Sequence, residues 1–454
     1  MTILSAQSDS FPAQPAVRPP GPWSFPTPGR ATLGNGMRVL TFQLPGQYVI
    51  SARLVLDLPL SLEERDTEGT ATICARTLDE GTRSHGGEEF AELLETEGAG
   101  FGVEVSLAGF EAVLDVPATR LDRALELFAE AVTEPTLADE DVNRHVQLRL
   151  AEIEQAQANS AQTASIAFRN AIFDASSRAS RMNGGEPETV AQITPTAVRQ
   201  FHQDHFGPSG STLVLAGDFL SDPVALAETY LGSWANDTVP VTHQRPVPAQ
   251  PSSRLIDRPG AVQADVRLGG VGIDRSDPRW ADISVASYAM GGAFLSRLNA
   301  VLREEKGYTY GVRMQFSPMR SGGSFAVQGS FRTEVVPDAL IRCRELLDIS
   351  SRPFTQQEVD EAVAFFAGVS PLRYATADGV ADQAATQILA RLDEDYVDRN
   401  LAALRGVTPE SAAAAYTELV RPEDLTLVVV GDAAEISVPL QAAGFRISSA
   451  DAAA

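Results

Sequence analysis

The chain has 454 residues, of which 44% are hydrophobic and 21% are charged, and its net charge is −24. This length predicts two or more domains, and the composition is typical of a soluble globular protein with a sizeable core. An acidic chain without a basic stripe is not expected to bind nucleic acid, although it is compatible with a basic peptide or partner. We find no membrane span, no secretory signal pattern and no metal-ligand spacing at Cys74 and Cys343, so we expect a cytoplasmic protein.

The first half of the chain contains groups of strands and helices behind a proline-rich arm at residues 1–30. Alternating or continuous apolar runs predict strands at residues 37–43, 51–58, 100–106, 109–116 and 211–218. Helical periodicity predicts helices at residues 67–78, 88–97, 120–133, 139–154 and 194–205, and the polar, alanine-rich residues 155–185 are also expected to be helical. This mixture predicts an α/β domain.

The second half repeats the first. The sequence Thr-Leu-Val-Val-Val-Gly-Asp at residues 426–432 resembles the sequence at residues 212–218. A helix–proline–helix passage around Pro135 also returns around Pro353. A repeat of about 215 residues indicates a duplication.

This repeat suggests how the chain divides. Residues 236–253 contain four prolines and little amphipathic order, which is typical of a linker. We therefore predict a first domain at residues 31–235 and a homologous second domain at residues 254–454. Two such domains usually pack face to face, and a ligand is expected in the chamber between them.

Residues 290–311 contain a pair of side chains with a chemical interpretation. Helical spacing predicts a single buried stripe, made of Phe294, Leu295, Leu298, Val301 and Leu302. Gly307 is placed to end this helix in a left-handed cap, which puts Arg303 in the last turn. Tyr310 follows in an extended segment, where a guanidinium and a phenol can both donate hydrogen bonds to one oxygen. On spacing alone, a surface arginine and a packed tyrosine are the simpler interpretation.

Two motifs resemble the insulinase/pitrilysin metallopeptidases, a family that includes the mitochondrial processing peptidase. The first is Gly-Gly-Ala-Phe-Leu-Ser-Arg-Leu-Asn, followed by Leu-Arg-Glu-Glu-Lys-Gly-Tyr-Thr-Tyr, within residues 291–310. The second is at residues 69–82, where the glycine, alanine, leucine and threonine frame of active members is kept at Gly69, Ala71, Leu78, Gly81 and Thr82. The resemblance implies an α+β fold with two homologous α/β-roll domains. Each is an antiparallel-rich sheet with helices on one face, and the two lie face to face around a chamber.

The catalytic residues of the second motif differ from those of active members, which use His-x-x-Glu-His on a helix to bind zinc and activate a water. Those positions hold Thr72, Ala75 and Arg76 in this chain. A threonine hydroxyl is a poor zinc ligand, alanine has no basic group, and arginine stays protonated and repels a cation. The distal carboxylate ligand of active members falls near Asp141, which cannot hold zinc alone. We therefore expect no metal or other cofactor in this chain.

The five histidines offer only weak replacement sites. His85 with Glu88 and Glu89 lacks the second histidine of a zinc motif. His202 and His205 are three residues apart on a helix, with Asp204 between them and Asp218 as a further candidate ligand, but surface histidines are the simpler interpretation. His145 and His243 are solitary.

The resemblance implies a division of labour between two chains. In split members of that family one chain bears the zinc motif, and the other supplies an arginine and a tyrosine across the chamber. Our leading hypothesis is a non-catalytic subunit of a heterodimeric zinc peptidase for peptide processing. In this hypothesis Arg303 and Tyr310 bind the peptide and stabilise the tetrahedral intermediate in the site of a zinc-bearing homologous partner. The alternatives are a structural or binding scaffold without a role in proteolysis, and an independent enzyme that uses His202, His205 and nearby acids.

Overall fold

A computed structural model describes residues 21, 23–236, 238 and 241–452, so most of the predicted arm lies outside the described residues. The strands of the first half are β1 (Gly29–Thr32), β2 (Arg38–Gln43), β3 (Val49–Leu56), β4 (Gly100–Val105), β5 (Phe110–Pro117) and β6 (Thr212–Gly217). Its helices are α1 (Thr70–Arg76), α2 (Gly87–Glu97), α3 (Leu121–Thr133), α4 (Asp139–Ala158), α5 (Ser160–Ile172), α6 (Pro187–Val190), α7 (Pro195–His205) and α8 (Pro223–Leu231).

The second half follows the same plan. Its strands are β7 (Ser253–Asp257), β8 (Gln263–Gly272), β9 (Val312–Pro318), β10 (Gly323–Arg332), β11 (Thr426–Gly431) and β12 (Ile447–Ala452). Its helices are α9 (Trp280–Ser287), α10 (Arg297–Asn299), α11 (Val336–Leu347), α12 (Gln356–Arg373), α13 (Ala377–Leu389), α14 (Tyr396–Arg405), α15 (Pro409–Leu419) and α16 (Ala433–Ala442).

Each half builds one six-stranded sheet, in the orders β1-β2-β6-β3-β5-β4 and β12-β7-β11-β8-β10-β9. The strands β3, β4, β5 and β6 pair antiparallel, as do their counterparts β8, β9, β10 and β11. One parallel pair lies at the same place in each sheet, β2 with β6 and β7 with β11. The second sheet has a further parallel pair, β12 with β7, whereas β1 and β2 of the first sheet pair antiparallel. The predicted α+β fold with two similar, antiparallel-rich domains is confirmed.

The central strands are buried on both faces because one helix of each half packs on the sheet of the other half. Every residue of β6 and of β11 is buried. Helix α13 of the second half packs on β3 and β6 of the first sheet, and helix α5 of the first half packs on β8 and β11 of the second. Strands covered on both faces become continuous apolar runs, which explains why these two segments are the clearest part of the sequence repeat.

Residues 155–185 are only partly helical. Helix α4 ends at Ala158, and Asn159 begins α5, since its side chain accepts hydrogen bonds from the backbone N–H groups of Ala161 and Gln162. Beyond Ile172 the structure has only a short 3-10 helix, Arg178–Ser180, up to residue 185. The expectation of continuous helix is therefore wrong for residues 173–185.

The end of the N-terminal arm packs on the second half. Trp23 stacks on Tyr374 with ring centroids 5.6 Å apart, and the Phe25 backbone N–H donates to Asp398 at 3.0 Å. In the linker, residues 241–252 contain one isolated bridge, between Pro248 and Phe173, and no helix. The domain boundaries at residues 31–235 and 254–454 stay a prediction. Across the described ranges, none of the helices combines the length and apolarity that a membrane crossing requires.

Candidate functional site

The helix within residues 290–311 begins later than the spacing of the apolar residues predicts. A π-helical turn, Tyr288–Gly292, is followed by a loop, and helix resumes only at α10 and a second π-helical segment, Ala300–Glu305. Leu298 and Leu302 are buried as expected, but Phe294 and Leu295 are 74% and 70% exposed because they lie in the loop. Their predicted place in the buried stripe is therefore wrong. Gly307 has φ +62°, the left-handed conformation that its predicted cap requires.

Buried polar residues of the same motif fix this segment to its surroundings. Arg297 donates to both carboxylate oxygens of Glu358 at 2.6 and 2.7 Å, and to the carbonyls of Arg352 and Pro353. Asn299 pairs with both the N–H and the carbonyl of Val312, at the outer edge of β9. These contacts hold the helix against the start of α12 and the edge of the sheet, so the position of the following turn is well defined.

Arg303 is held at the base of the exposed loop. Its Nε donates to the Glu304 carboxylate at 2.7 Å, and its Nη2 donates to the Phe294 carbonyl at 3.0 Å. Its guanidinium carbon also lies 3.7 Å from the centroid of the Phe294 ring, a cation–π contact. Phe294 and Glu304 therefore orient a guanidinium that still has an N–H group, at Nη1, without a hydrogen-bond acceptor among the described residues.

Tyr310 is almost fully exposed, at 98%. It lies with Arg303 on the wall of one open depression of about 860 Å³, together with Tyr308, Asp265 and Arg267. The neighbouring Tyr308 is committed elsewhere, because its hydroxyl donates to Asp338 at 2.7 Å. The structure thus brings the two predicted residues to the same depression, with the phenol of Tyr310 open to an external group. Two donors on one wall can hold a carbonyl or a developing oxyanion.

The predicted zinc-motif positions lie on α1, whose N-terminus is held by a buried carboxylate. Glu63 accepts hydrogen bonds from the backbone N–H groups of Gly69 and Ala71, both at 2.9 Å, and pairs with Arg178. Thr72 is half-buried and Ala75 is buried. The guanidinium of Arg76 forms a two-point ion pair with Glu152 of α4, at 2.8 and 3.0 Å. A permanent cation therefore occupies the place of a zinc ligand.

The carboxylate that faces this helix is Glu152, not Asp141. Asp141 accepts from Arg144 at 2.9 Å and lies eleven residues earlier on the same helix, about 16 Å away along its axis. The interpretation of Asp141 as the distal carboxylate is therefore wrong. With Thr72, Ala75 and Arg76 on α1 and Glu152 neutralised by Arg76, the residues present do not fit a zinc ion.

The histidines are engaged in separate contacts. His202 contacts the Val132 carbonyl at 2.8 Å and stacks on Phe206, and burial lowers its pKa. His205 packs against Phe201, and burial lowers its pKa as well. Among their proposed co-ligands, Asp204 accepts from Gln200, whereas Asp218 accepts from Gln43 and the Gly46 N–H.

The remaining histidines pair with carboxylates in different places. His85 lies 3.3 Å from Glu89, His145 contacts Glu80 at 2.6 Å, and His243 contacts Asp57 at 2.6 Å. Within the described ranges no group of three histidine, cysteine or acidic side chains is arranged to hold a metal ion. The hypothesis of an independent metal enzyme built on His202 and His205 thus finds no matching geometry.

Two family models match the chain on either side of residue 190. The model for insulinase, peptidase family M16, matches residues 38–181, and the model for the peptidase M16 inactive domain matches residues 192–366. The chain belongs to the insulinase family. The M16 inactive-domain structure from Pseudomonas fluorescens superimposes with a TM-score of 0.83 at 24% identity, covering 89% of this chain and 98% of that one.

Relatives of this insulinase-family chain carry two kinds of name. An uncharacterized zinc protease of Streptomyces coelicolor is 26% identical over 88% of this chain and 89% of its own length. The non-peptidase homolog YmxG of Helicobacter pylori is 24% identical over 70% of this chain and 73% of its own length. Because Thr72, Ala75 and Arg76 stand at the zinc-motif positions of α1, the present chain is a homologue of the M16 peptidases without the zinc motif.

Several residues that shape these M16 sites were not singled out from sequence. Glu152, Arg297 and Glu358 act through partners that are far away along the chain, and Glu63 joins the nearby start of α1 to the distant Arg178. Arg297 had one available signal, since it lies within the Ser-Arg-Leu-Asn part of the motif. For Glu152 the only signal was its place on the helix that faces α1, which requires the tertiary structure.

Proposed function

We propose that this chain is the non-catalytic subunit of a heterodimeric zinc peptidase, and that Arg303 and Tyr310 act in the site of a zinc-bearing homologous partner. Water attack on a peptide carbonyl places negative charge on its oxygen. Two preplaced donors on the wall of one depression would stabilise that charge and would orient the peptide before attack. The zinc and the water it activates would come from the partner.

One observation carries this proposal. Arg303 and Tyr310 line the same open depression, whereas Arg76 and Glu152 neutralise each other where a zinc motif would lie. The chain thus retains donors for a carbonyl oxygen and lacks ligands for the metal. The almost complete exposure of Tyr310 also supports a role towards a second molecule, because a phenol that buries almost no surface contributes little to the stability of its own chain.

The test is reconstitution with a homologous chain that carries His-x-x-Glu-His. We expect the mixture to cleave peptides and Arg303→Ala or Tyr310→Phe to lower kcat by roughly 10²–10³-fold, the usual cost of one oxyanion donor. The matched controls are Arg332→Ala and Tyr308→Phe, at two other residues that line the depression. They should leave kcat within a few-fold of the unmodified mixture.

Two outcomes would refute the proposal. If Arg303→Ala and Tyr310→Phe both retain full activity in a cleaving mixture, the pair has no catalytic role. If the chains form a stable complex that never cleaves peptides, the scaffold alternative is the correct one.

A further inference from the structure

A second cavity lies between the two halves and is separate from the depression around Arg303. It measures about 420 Å³, within the range of small-molecule sites. The first half contributes the turn between β4 and β5, residues 106–109. The second half contributes the end of β9 and the turn that follows it, residues 318–321. Helices α5 and α13, which pack on the sheet of the opposite half, also line the cavity.

Arg169 of α5 lines this cavity without a carboxylate partner. Its Nη1 donates to the Arg181 carbonyl at 3.2 Å and to the Asn183 side-chain oxygen at 3.3 Å, and among the described residues no acid lies within ion-pair distance of it. Burial lowers the pKa of Arg169, and the nearby charge of Arg178 lowers it further. A half-buried guanidinium without a counter-ion is costly, so an anion would be bound favourably here.

Arg178 lines the same cavity and has a further unused donor. It is 6% exposed, and its Nη2 donates to Glu63 at 2.9 Å. Within the described part of the chain its buried Nε has no hydrogen-bond acceptor, although the Glu68 carboxylate lies 3.6 Å away. The arginine side of the cavity therefore has both an uncompensated charge and an unsatisfied buried N–H group.

Three acidic residues also line the cavity, Glu104, Glu111 and Asp382, and so do two further arginines, Arg275 and Arg320. Glu111 forms a buried ion pair with Arg53, and Asp382 lies 3.7 Å from the same guanidinium. Apolar side chains, including Leu107, Met319 and Leu389, line it as well. The cavity thus combines an arginine that has no ion-pair partner among the described residues with an apolar lining.

We propose that this cavity binds a small organic carboxylate, with its anionic end at Arg169 and its apolar body against Leu107, Met319 and Leu389. A planar carboxylate matches the parallel N–H groups of a guanidinium. The two turns, α5 and α13 would all contact such a ligand. Its binding would therefore add contacts between the two halves. This inference does not depend on the role proposed for Arg303 and Tyr310.

The test compares phenylpropionate with phenylpropionamide, which has the same shape but no charge, on the full-length chain by calorimetry and thermal unfolding. We expect saturable binding and a higher Tm with the acid alone. Arg169→Gln should weaken binding of the acid by about tenfold or more, the loss of a charge-assisted hydrogen bond. Arg313→Gln, at an exposed arginine of β9 outside the cavity, should not change it.

A second variant covers the case in which Arg169→Gln fails to fold. Ala108→Phe fills the cavity from the β4–β5 turn without removing any charged group, and it should abolish binding of phenylpropionate. Equal affinity for the acid and the amide, unchanged binding in either cavity variant, or no binding of the acid at millimolar concentration would each overturn the inference.

Discussion

Helices α4 and α12 occupy equivalent places in the two halves, but their surfaces have become different. Val142 of α4 and Val359 of α12 correspond in the repeat, and both are buried. About two to three turns beyond Val142, α4 carries Arg149 and Glu152, and the Glu152 carboxylate accepts from both Arg149 and Arg76 of α1. At the corresponding stretch α12 carries Phe365 and Phe366, which pack around Tyr288. The two helices therefore share a buried valine and differ in the side chains that follow it.

The two halves also differ in the burial of the ion pair that each motif forms. In the first half Arg76 and Glu152 form an ion pair in which both side chains are about one-third exposed or more. In the second half Arg297 is almost completely buried against Glu358 and the ring of Phe354. A partly exposed pair can be replaced at little cost, whereas a buried pair must stay complete. We therefore expect the Arg76–Glu152 pair to tolerate substitution better than the Arg297–Glu358 pair.

The largest expected effect comes from restoring the zinc motif in the first half. Combining Thr72→His, Ala75→Glu and Arg76→His should produce a zinc site, with Glu152 as the third ligand. We expect stoichiometric zinc in the purified variant by metal analysis. Adding Glu152→Gln should weaken zinc binding by at least about a hundredfold, whereas adding Asp141→Asn should not affect it. Greater loss with Asp141→Asn would contradict the position of Glu152.

The next effect compares the two ion pairs directly. Glu358→Gln leaves the Arg297 guanidinium buried without a counter-ion, so the free energy of unfolding should fall by about 3 kcal/mol. Glu152→Gln, at the half-exposed pair, should lower it by no more than about 1 kcal/mol. Urea denaturation of both variants measures the difference. Similar losses would mean that the two pairs are not held differently.

The same pair gives a dependence on pH. Burial by itself would raise the pKa of Glu358, but hydrogen bonds from Arg297 and Thr355 outweigh it and hold the value at about 2, below the ordinary glutamate value of 4.5. Because the folded pKa is the lower one, the stabilisation is complete above about 4.5 and is lost as the pH falls towards 2. The stability gap between the parent chain and Glu358→Gln should close in that interval.

The smallest effect concerns a feature that the two halves share. Helix α2 ends at Gly98 with φ +63°, and the helix that carries Arg303 ends at Gly307 with φ +62°. Replacing either glycine by alanine should lower the free energy of unfolding by about 1 kcal/mol, because a Cβ atom disfavours this conformation. Gly311→Ala, at a glycine without positive φ, is the matched control for Gly307→Ala. A loss at Gly307→Ala no larger than at the control would contradict the assigned cap.

Sequence patterns were sufficient for the features that one segment encodes by itself. The buried strands at residues 212–217 and 426–431, the cap at Gly307 and the missing metal ligands at Thr72, Ala75 and Arg76 could all be read locally. Each depends on side-chain periodicity, backbone conformation or the chemistry of single residues. The family and its two-domain α+β fold followed from these features and the two motifs.

Only the tertiary structure decided which elements meet. It placed Glu152 rather than Asp141 opposite Arg76, and it left Phe294 and Leu295 in an exposed loop. It also packs α5 on the second sheet and α13 on the first, and the cavity around Arg169 lies between these elements. Periodicity reports that a face of an element is buried, but the element that covers it is selected by packing between distant parts of the chain.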